Sequence, residues 1–442
     1  MTKRASKGER TTWQAVIVCI WVAFVSASAL KAMIPYVHWF ATIAVVALLC
    51  PRFLGARYSR AVKFTMLGGS LLVLSIVIIV PMNLNPVYQL AEASKLAGIL
   101  LVVTPLLLAR SDTSRGLRLG AELAVAANGA LVLMGFLGVS GVFTLMAFGR
   151  YGTVLNPPGS LWRVGILVLV SSSLNLLVGR SFLWPLIMFT CSVALLVFDG
   201  ARTAGLSILV AFGFVAYFMV KEMRNRGGFA TRRVLARMTL LGVVLIGGIV
   251  WRPIQEAYVG NVGFGDRLSG MFNAAESSGV EGVESTDQNR AEMLRVAYDA
   301  IAAHPLLGTG MGTTSLSGIY DGLVIHDAYL QVWADVGLFG FMAYVVLTIG
   351  ILLGRWARRS EVARADISDR VSFHNGVYIL TCWALSGLLH PLSTEISEWV
   401  MFIVGLAGMQ VAFWLPRSRN TVFQFSGRDA DRGELLSANL RS

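Results

Sequence analysis

Apolar segments follow one another along almost the whole chain, and this pattern predicts a protein built from membrane-spanning helices. A helix that crosses a bilayer needs about 20 consecutive apolar residues. Twelve segments approach this length, the fourth and ninth being short: about 13–30, 34–50, 62–81, 96–109, 120–148, 161–178, 181–198, 203–220, 238–251, 327–354, 372–390 and 394–416. We therefore expect an all-α polytopic membrane protein with about 12 transmembrane helices.

One long polar segment, residues 251–326, interrupts this pattern. Within it, residues 287–303 carry apolar side chains at helical spacing, which predicts a short amphipathic helix at the membrane surface, ending before His304 and Pro305. Its apolar positions are Met293, Leu294, Ala297, Tyr298 and Ile301. The chain then divides into spans 1–9 (1–251), a loop (252–325), spans 10–12 (326–416) and a tail (417–442).

The distribution of basic residues predicts the orientation of the spans. With the N-terminus inside the cell, 28 of the 37 lysines and arginines fall in cytoplasmic loops or termini, as the positive-inside rule requires. The long loop and the short segments 149–160, 199–202 and 391–395 then lie together on the external face. We therefore expect a catalytic loop at 252–325 outside the membrane and a cytoplasmic tail.

Composition supports the membrane assignment and limits the classes of partner. The chain has 442 residues, is 55% hydrophobic and only 14% charged, and has a mean hydropathy of +0.67. Its net charge of +12 comes from short loops between apolar segments rather than from one folded face, which indicates contacts with anionic membrane lipids and no nucleic acid. The four cysteines lack CxxC spacing, so we expect neither a disulfide framework nor a metal site.

Two arginines in the predicted external segments are candidates for binding an anion. Arg202 stands at the mouth of the eighth span, and a buried arginine at mid-depth costs at least about 2.5 kcal/mol. Arg290 falls in the first turn of the predicted amphipathic helix, where the free N–H groups and the guanidinium together favour phosphate. Structural alternatives are an ion pair of Arg202 with Asp199, snorkelling, or an ion pair of Arg290 with Asp287 or Glu292.

His326 is the candidate for proton transfer, because it stands where the polar loop enters the tenth span. A histidine near neutral pH can accept a proton from an alcohol and pass it on. The alternative is a structural histidine at the membrane boundary. His304 precedes a proline at a helix end, where capping the last carbonyl groups is the commoner role.

Four motifs resemble those of the O-antigen ligase and polymerase superfamily. RAEMLRVAYDAIAAHPLLGTGMG is followed by HDAYLQVWADVGLFG, and upstream RYGTVLNPPGSLWR and DGARTAGLSILV are similar to the family's Asn-Pro loop and to its arginine-bearing span entrance. Asp327 stands where family members often carry Asn. The motifs cover about 150–350.

The resemblance implies an inverting, metal-independent glycosyltransferase with a GT-C-like fold and no cofactor. It would transfer a glycan from an undecaprenyl-diphosphate-linked donor to a sugar hydroxyl of a lipid-anchored or glycan acceptor, at the periplasmic face of a bacterial inner membrane. Arg202 and Arg290 would bind the donor diphosphate, and His326 would be the general base. Further substrate contacts could come from Arg150, Arg163, Arg267 and His304.

Two alternatives stay open at the level of sequence. Polymerisation of lipid-linked repeat units uses the same chemistry as ligation of a finished glycan, and the motifs do not separate the two activities. A transporter is the alternative from another class, but transporters often show repeated halves and polar residues at mid-depth. Here the halves differ and the polar residues gather at one face.

Overall fold

The structure is a mostly helical bundle, as the apolar pattern predicts. This computed structural model describes residues 12–50, 58–82, 86–146, 150–179, 181–226, 237, 239, 242, 288–312, 325–354 and 366–414. Its α-helices are α1 (Trp13–Val25), α2 (Leu30–Met33), α3 (Val37–Leu49), α4 (Arg60–Ile78), α5 (Pro86–Ala97), α6 (Thr104–Leu107), α7 (Ser111–Phe136), α8 (Leu161–Gly165), α9 (Leu169–Val178), α10 (Leu183–Asp199), α11 (Arg202–Arg226), α12 (Gln288–Ala303), α13 (Ala328–Gly354), α14 (Ile367–Ser386) and α15 (Ile396–Trp414).

Three shorter elements complete the fold. A 3-10 turn, Val80–Met82, follows α4, and a π-helical stretch, Gly98–Val103, joins α5 to α6. The strands β1 (Phe143–Met146) and β2 (Arg150–Thr153) pair antiparallel as a two-stranded hairpin, with Phe143 opposite Thr153. The described part of the chain is therefore mostly, rather than entirely, helical.

Several helices have the length and apolarity of membrane spans, which supports a multi-pass membrane protein. Within the described ranges, six are long and apolar enough to cross a membrane: Arg60–Ile78, Pro86–Leu107, Ser111–Gly135, Leu161–Val178, Arg202–Lys221 and Ala328–Gly350. Four more apolar helices are shorter. These helices therefore do not establish the predicted number of about 12 spans. The ninth predicted span (238–251) lies outside the described residues, apart from residues 239 and 242.

The fourth predicted span begins ten residues earlier than the sequence pattern indicates, at Pro86 instead of 96. Proline is compatible with the first turn of a helix because its missing N–H would have no helical partner there. Polar residues in the first two turns of α5 are buried and satisfied: Gln89 donates to the Ile76 carbonyl at 2.6 Å, and Glu92 accepts from Lys95 at 2.7 Å. Because these residues are polar, the apolar pattern predicts a start of the span that is too late.

The fifth predicted span, 120–148, is also misplaced. Helix α7 runs from Ser111 to Phe136, and the chain then turns at residues 137–142 and forms β1 instead of more helix. Gly138 and Gly141 have positive φ, a conformation that ends a helix and that side-chain-bearing residues rarely adopt. The β-hairpin therefore carries the chain from α7 towards the Asn-Pro loop.

Glycines let the helix pairs of the bundle approach closely. Gly116 and Gly120 of α7 lie against the backbone of α1, and Gly68 of α4 lies against Leu347 of α13. Gly376 of α14 packs on the backbone of α15. Small residues at such crossings are the usual packing device inside a membrane, where the lipid supplies little hydrophobic driving force for association. These contacts hold α1 against α7, α4 against α13 and α14 against α15.

Candidate active site

Of the predicted loop 252–325, only residues 288–312 and 325 belong to the described structure. The described parts of the segments predicted to meet outside the membrane lie together at one end of the bundle. The N–H of Ala328, at the start of α13, donates to the Gly387 carbonyl just after α14 at 2.6 Å. The N–H of Leu392 donates to the Gln331 side chain at 2.7 Å, and the hydroxyl of Thr394 donates to the Glu92 carboxylate. The segment between α14 and α15 is thus tied to α5 and to the start of α13.

Asn156 anchors the Asn-Pro loop to this end of the bundle. It is 1% exposed, and its side-chain oxygen accepts from the Ser28 hydroxyl at 2.9 Å, just beyond α1. Its amide nitrogen donates to Asn128 of α7 at 3.1 Å. A buried amide with this many partners fixes the loop in one conformation. The Asn of this motif therefore has a structural role.

Asp199 and Gly200 determine where Arg202 begins its helix. The Asp199 carboxylate is fully buried and accepts a hydrogen bond from the backbone N–H of Trp162, in α8, at 2.7 Å. Gly200 then adopts a left-handed conformation that ends α10, so α11 starts at Arg202. The half-buried Arg202 is consequently at a helix N-terminus, where N–H groups without helical partners favour an anion.

His390 joins the start of α11 to the Asn-Pro side of the site. Its Nε2 lies 2.8 Å from the hydroxyl of Thr203, the residue after Arg202. Its ring also stacks on the indole of Trp162, with the ring centroids 5.5 Å apart and the planes at 16°. His390 is therefore part of the scaffold that holds the arginine-bearing end of α11.

His326 is held at the start of α13 by the residue that follows it. The Asp327 carboxylate accepts from the N–H groups of Tyr329 and Leu330 at 2.9 and 3.0 Å, as an N-cap does. Burial raises the pKa of the Asp327 carboxyl, and these two N–H groups oppose the rise. Asparagine caps helices equally well, so the change from the family's Asn leaves the local backbone and the half-buried His326 in place.

The amphipathic helix predicted at 287–303 is present as α12 and packs on α13. Ala297 is buried against Ile325, which directly precedes His326, and against Ala334. Arg290 lies two turns before Ala297, about 10 Å along the helix at 1.5 Å per residue. The fold therefore brings the helix of Arg290 next to His326, although the Arg290 side chain lies outside the part of the structure that is described.

The glycine-rich HPLLGTGMG motif (304–312) packs on a kink in α13. Gly308 and Gly337 both have positive φ, and a Cβ on either would overlap the backbone of the other segment. The Thr309 N–H donates to the Ala334 carbonyl at 2.9 Å, and the Gly312 N–H donates to the Asp335 carboxylate at 3.1 Å. The glycines thus let this segment approach the backbone of α13 closely. The contact holds the end of α12 in place.

A polar pocket lies between these elements. It is small and is lined by residues from four helix ends and their connecting segments, among them Arg163, Ala328, Gly387, His390, Glu398 and Trp399. Ala328 is two residues from His326, and His390 is bonded to the neighbour of Arg202. His326 therefore lies two residues from the pocket wall, and Arg202 is linked to that wall through its neighbour Thr203 and His390.

The other predicted contact residues have different surroundings. Arg163 pairs with Glu398 at 2.9 Å and lines the pocket. His304 is exposed at the end of α12. Arg150 begins β2, with its side chain outside the description, and Arg267 lies wholly outside the described residues. The structure thus brings Arg163 to the pocket.

Glu398 is the main pocket residue that the sequence analysis missed. It lies in the first turn of α15, where the helix dipole favours a carboxylate. The available signal was the presence of two acidic residues, Glu395 and Glu398, at the start of an apolar span. Within the residues described, no group of three His, Cys, Asp or Glu side chains could hold a metal ion.

Comparison with known proteins agrees with the motif resemblance. Residues 186–345 match the family model Wzy_C, described as O-antigen ligase. A search of curated proteins finds no match. The matched segment contains Arg202, Arg290 and His326 and ends inside α13. The family indicates a membrane enzyme of polysaccharide biosynthesis that uses lipid-linked glycans. The resemblance to the O-antigen ligase superfamily predicted from the motifs is therefore confirmed over residues 186–345.

Proposed function

We propose that this protein is a multi-pass glycosyltransferase of a bacterial inner membrane, with its active site on the periplasmic face. It transfers a glycan from undecaprenyl diphosphate to a sugar hydroxyl of a lipid-anchored or glycan acceptor. The reaction inverts the anomeric configuration and uses neither a metal ion nor another cofactor. The family match to residues 186–345 supports the general class.

The observation that carries the proposal is the position of three residues at helix N-termini. Arg202 begins α11, Arg290 lies in the first turn of α12, and His326 directly precedes the capped start of α13. Helix N-termini favour anions, and guanidinium groups stabilise a diphosphate leaving group in the way that a divalent cation does in other enzymes. In the proposed site these residues act together, because diphosphate displacement requires a base and groups that stabilise the leaving anion.

The proposed reaction is a single displacement. His326 accepts the proton of the acceptor hydroxyl as the oxygen attacks the anomeric carbon of the donor sugar. The bond between that carbon and the diphosphate oxygen breaks, and its electron pair leaves with the diphosphate. Arg202 and Arg290 stabilise the negative charge that develops on the leaving group.

Ligation of a finished glycan is the proposed activity, and polymerisation of repeat units is the second candidate because both use the same chemistry.

The gel pattern of the surface polysaccharide from a deletion strain distinguishes the two activities. Ligation predicts loss of whole decorated species while lipid-linked glycan accumulates. Collapse of the ladder to a single repeat would contradict ligation and support polymerisation. An unchanged pattern would contradict both activities. Restoration by the intact gene is the control.

A further inference from the structure

The segment between α14 and α15 carries His390, and it is bound to the start of α13 on both sides of that residue. Before it, the Gly387 carbonyl accepts the Ala328 N–H at 2.6 Å. After it, the Leu392 N–H donates to the Gln331 side chain at 2.7 Å. These bonds fix the backbone around His390 relative to the first turn of α13.

The side chain of His390 contacts the residues that hold Arg202 in place. Its Nε2 lies 2.8 Å from the hydroxyl of Thr203, the residue after Arg202. Its ring stacks on the Trp162 indole, and the Trp162 backbone N–H donates to the Asp199 carboxylate at 2.7 Å. Arg202 thus lies in a short segment that is held at both ends. His390 contacts one end directly and the other through Trp162.

His390 consequently links the starts of two helices that carry the proposed chemistry. Its backbone segment is bound to α13, which begins two residues after His326, and its imidazole is bound to α11, which begins at Arg202. Thr203 is 3% exposed, so bulk water cannot readily replace a bond lost there. Removing the imidazole would therefore release the Arg202 side of the link, while the backbone bonds to α13 remain.

The contacts of the imidazole differ from those of a group that takes a proton from the substrate. Its Nε2 is engaged by the Thr203 hydroxyl, and one face of the ring is covered by the fully buried Trp162. A general base needs a ring nitrogen within reach of the acceptor hydroxyl. The arrangement at His390 instead fixes the position of its neighbours, and Arg202 is the neighbour with a proposed role in the reaction.

We propose that His390 is a positioning residue, which holds Arg202 in the place relative to His326 that the donor diphosphate requires. The inference rests on the proposed glycosyl transfer, in which Arg202 binds the diphosphate. His390 lies beyond the segment 186–345 that matches the family model, so the match assigns it no role.

The first test compares His390→Ala with His390→Gln in the purified full-length protein. Alanine removes the bond to Thr203, so transfer at low donor concentration should fall about tenfold, the effect of losing one buried hydrogen bond. The KM for the acceptor should stay the same, because the bonds to α13 are made without the imidazole. Glutamine can donate to the hydroxyl or accept from it, and should restore most of the rate. A normal rate in His390→Ala would overturn the inference.

Thr203→Val tests the same bond from its other partner and leaves His390 intact. Valine keeps the shape of threonine but removes the hydroxyl, so the rate should again fall about tenfold, whereas Thr203→Ser should keep most of it. Thr65→Val is the matched control, because Thr65 is also buried and donates to the Ala61 carbonyl of its own helix. Thermal unfolding in detergent checks that each variant folds. Equal rates in Thr203→Val and Thr65→Val would contradict the positioning role.

Combination with Arg202→Lys shows whether His390 acts through Arg202. If it does, adding His390→Ala to Arg202→Lys should lower the rate less than about twofold further, because residues that act as a unit are not additive. A residue that contacts the substrate or only stabilises the fold would lower the rate in both backgrounds by the same factor. Multiplication of the two losses would therefore overturn the inference.

Binding of undecaprenyl diphosphate to the purified protein separates failure of this inference from failure of the proposed function. The wild-type protein should bind it, and His390→Ala should bind it about tenfold more weakly. This difference in a protein that transfers no glycan would contradict the proposed reaction alone. Glycan transfer with equal binding by both proteins would contradict the positioning role alone. A wild-type protein that neither binds nor transfers would contradict both.

Discussion

Replacing His326 with alanine is expected to lower the rate of glycan transfer by about 10²–10⁴-fold, the usual contribution of a positioned general base. The acceptor hydroxyl is a poor nucleophile at neutral pH, and alanine cannot accept its proton. Donor binding, which we assign to the arginines, should survive the substitution. Transfer assays and donor-binding measurements on the same purified variant report the two quantities separately.

His304→Ala is the matched control for this prediction. His304 is exposed at the end of α12, and its backbone carbonyl, not its side chain, accepts the Gly308 N–H at 2.9 Å. This variant should keep most of the activity. A His326→Ala protein that transfers glycan at a nearly normal rate would show that His326 is structural and that the base lies elsewhere.

Replacing Arg202 or Arg290 with lysine is expected to lower transfer by about 10- to 100-fold, the effect of losing one charge-assisted hydrogen bond. A planar guanidinium binds two phosphate oxygens at once, whereas an ammonium acts as a point charge. Each substitution should also weaken binding of the lipid-linked donor. The measurements are the transfer rate and the dissociation constant for the donor.

Arg295→Lys provides a control on the same helix as Arg290. The Arg295 side chain is 66% exposed and pairs with Glu292 at 3.0 Å, so a lysine there should have little effect on transfer. Full activity in both Arg202→Lys and Arg290→Lys would remove the assignment of these arginines to the diphosphate.

The parts of the fold that the sequence predicted correctly depend on local periodicity. The apolar positions from Met293 to Ile301 predicted α12, and the structure has this helix from Gln288 to Ala303. The same pattern indicated a helix lying on the membrane surface. In the structure Met293 and Ala297 are buried, Ala297 against α13, while Leu294 and Tyr298 are exposed. Periodicity identified the apolar face but not its neighbour.

The parts that the sequence did not predict depend on contacts between distant segments. Gln89 and Glu92 are buried with polar partners, and a hydropathy pattern treats such residues as loop. The Arg163–Glu398 pair joins two helices far apart in the sequence, and no local signal connects them. The glycines at 308 and 312 suggested close backbone approach, but the partner of Gly308, the kink at Gly337, is only visible in three dimensions.

The most direct test of the central claim uses the purified protein in vesicles, with its proposed periplasmic face outside. The vesicles carry the lipid-linked donor, and the acceptor is added only to the outside. The account predicts glycan transfer with one undecaprenyl diphosphate released for each glycan moved, without added metal ion and with strong loss in His326→Ala. Movement of the lipid-linked glycan across the membrane with no new glycosidic bond would contradict the claim and support a transporter.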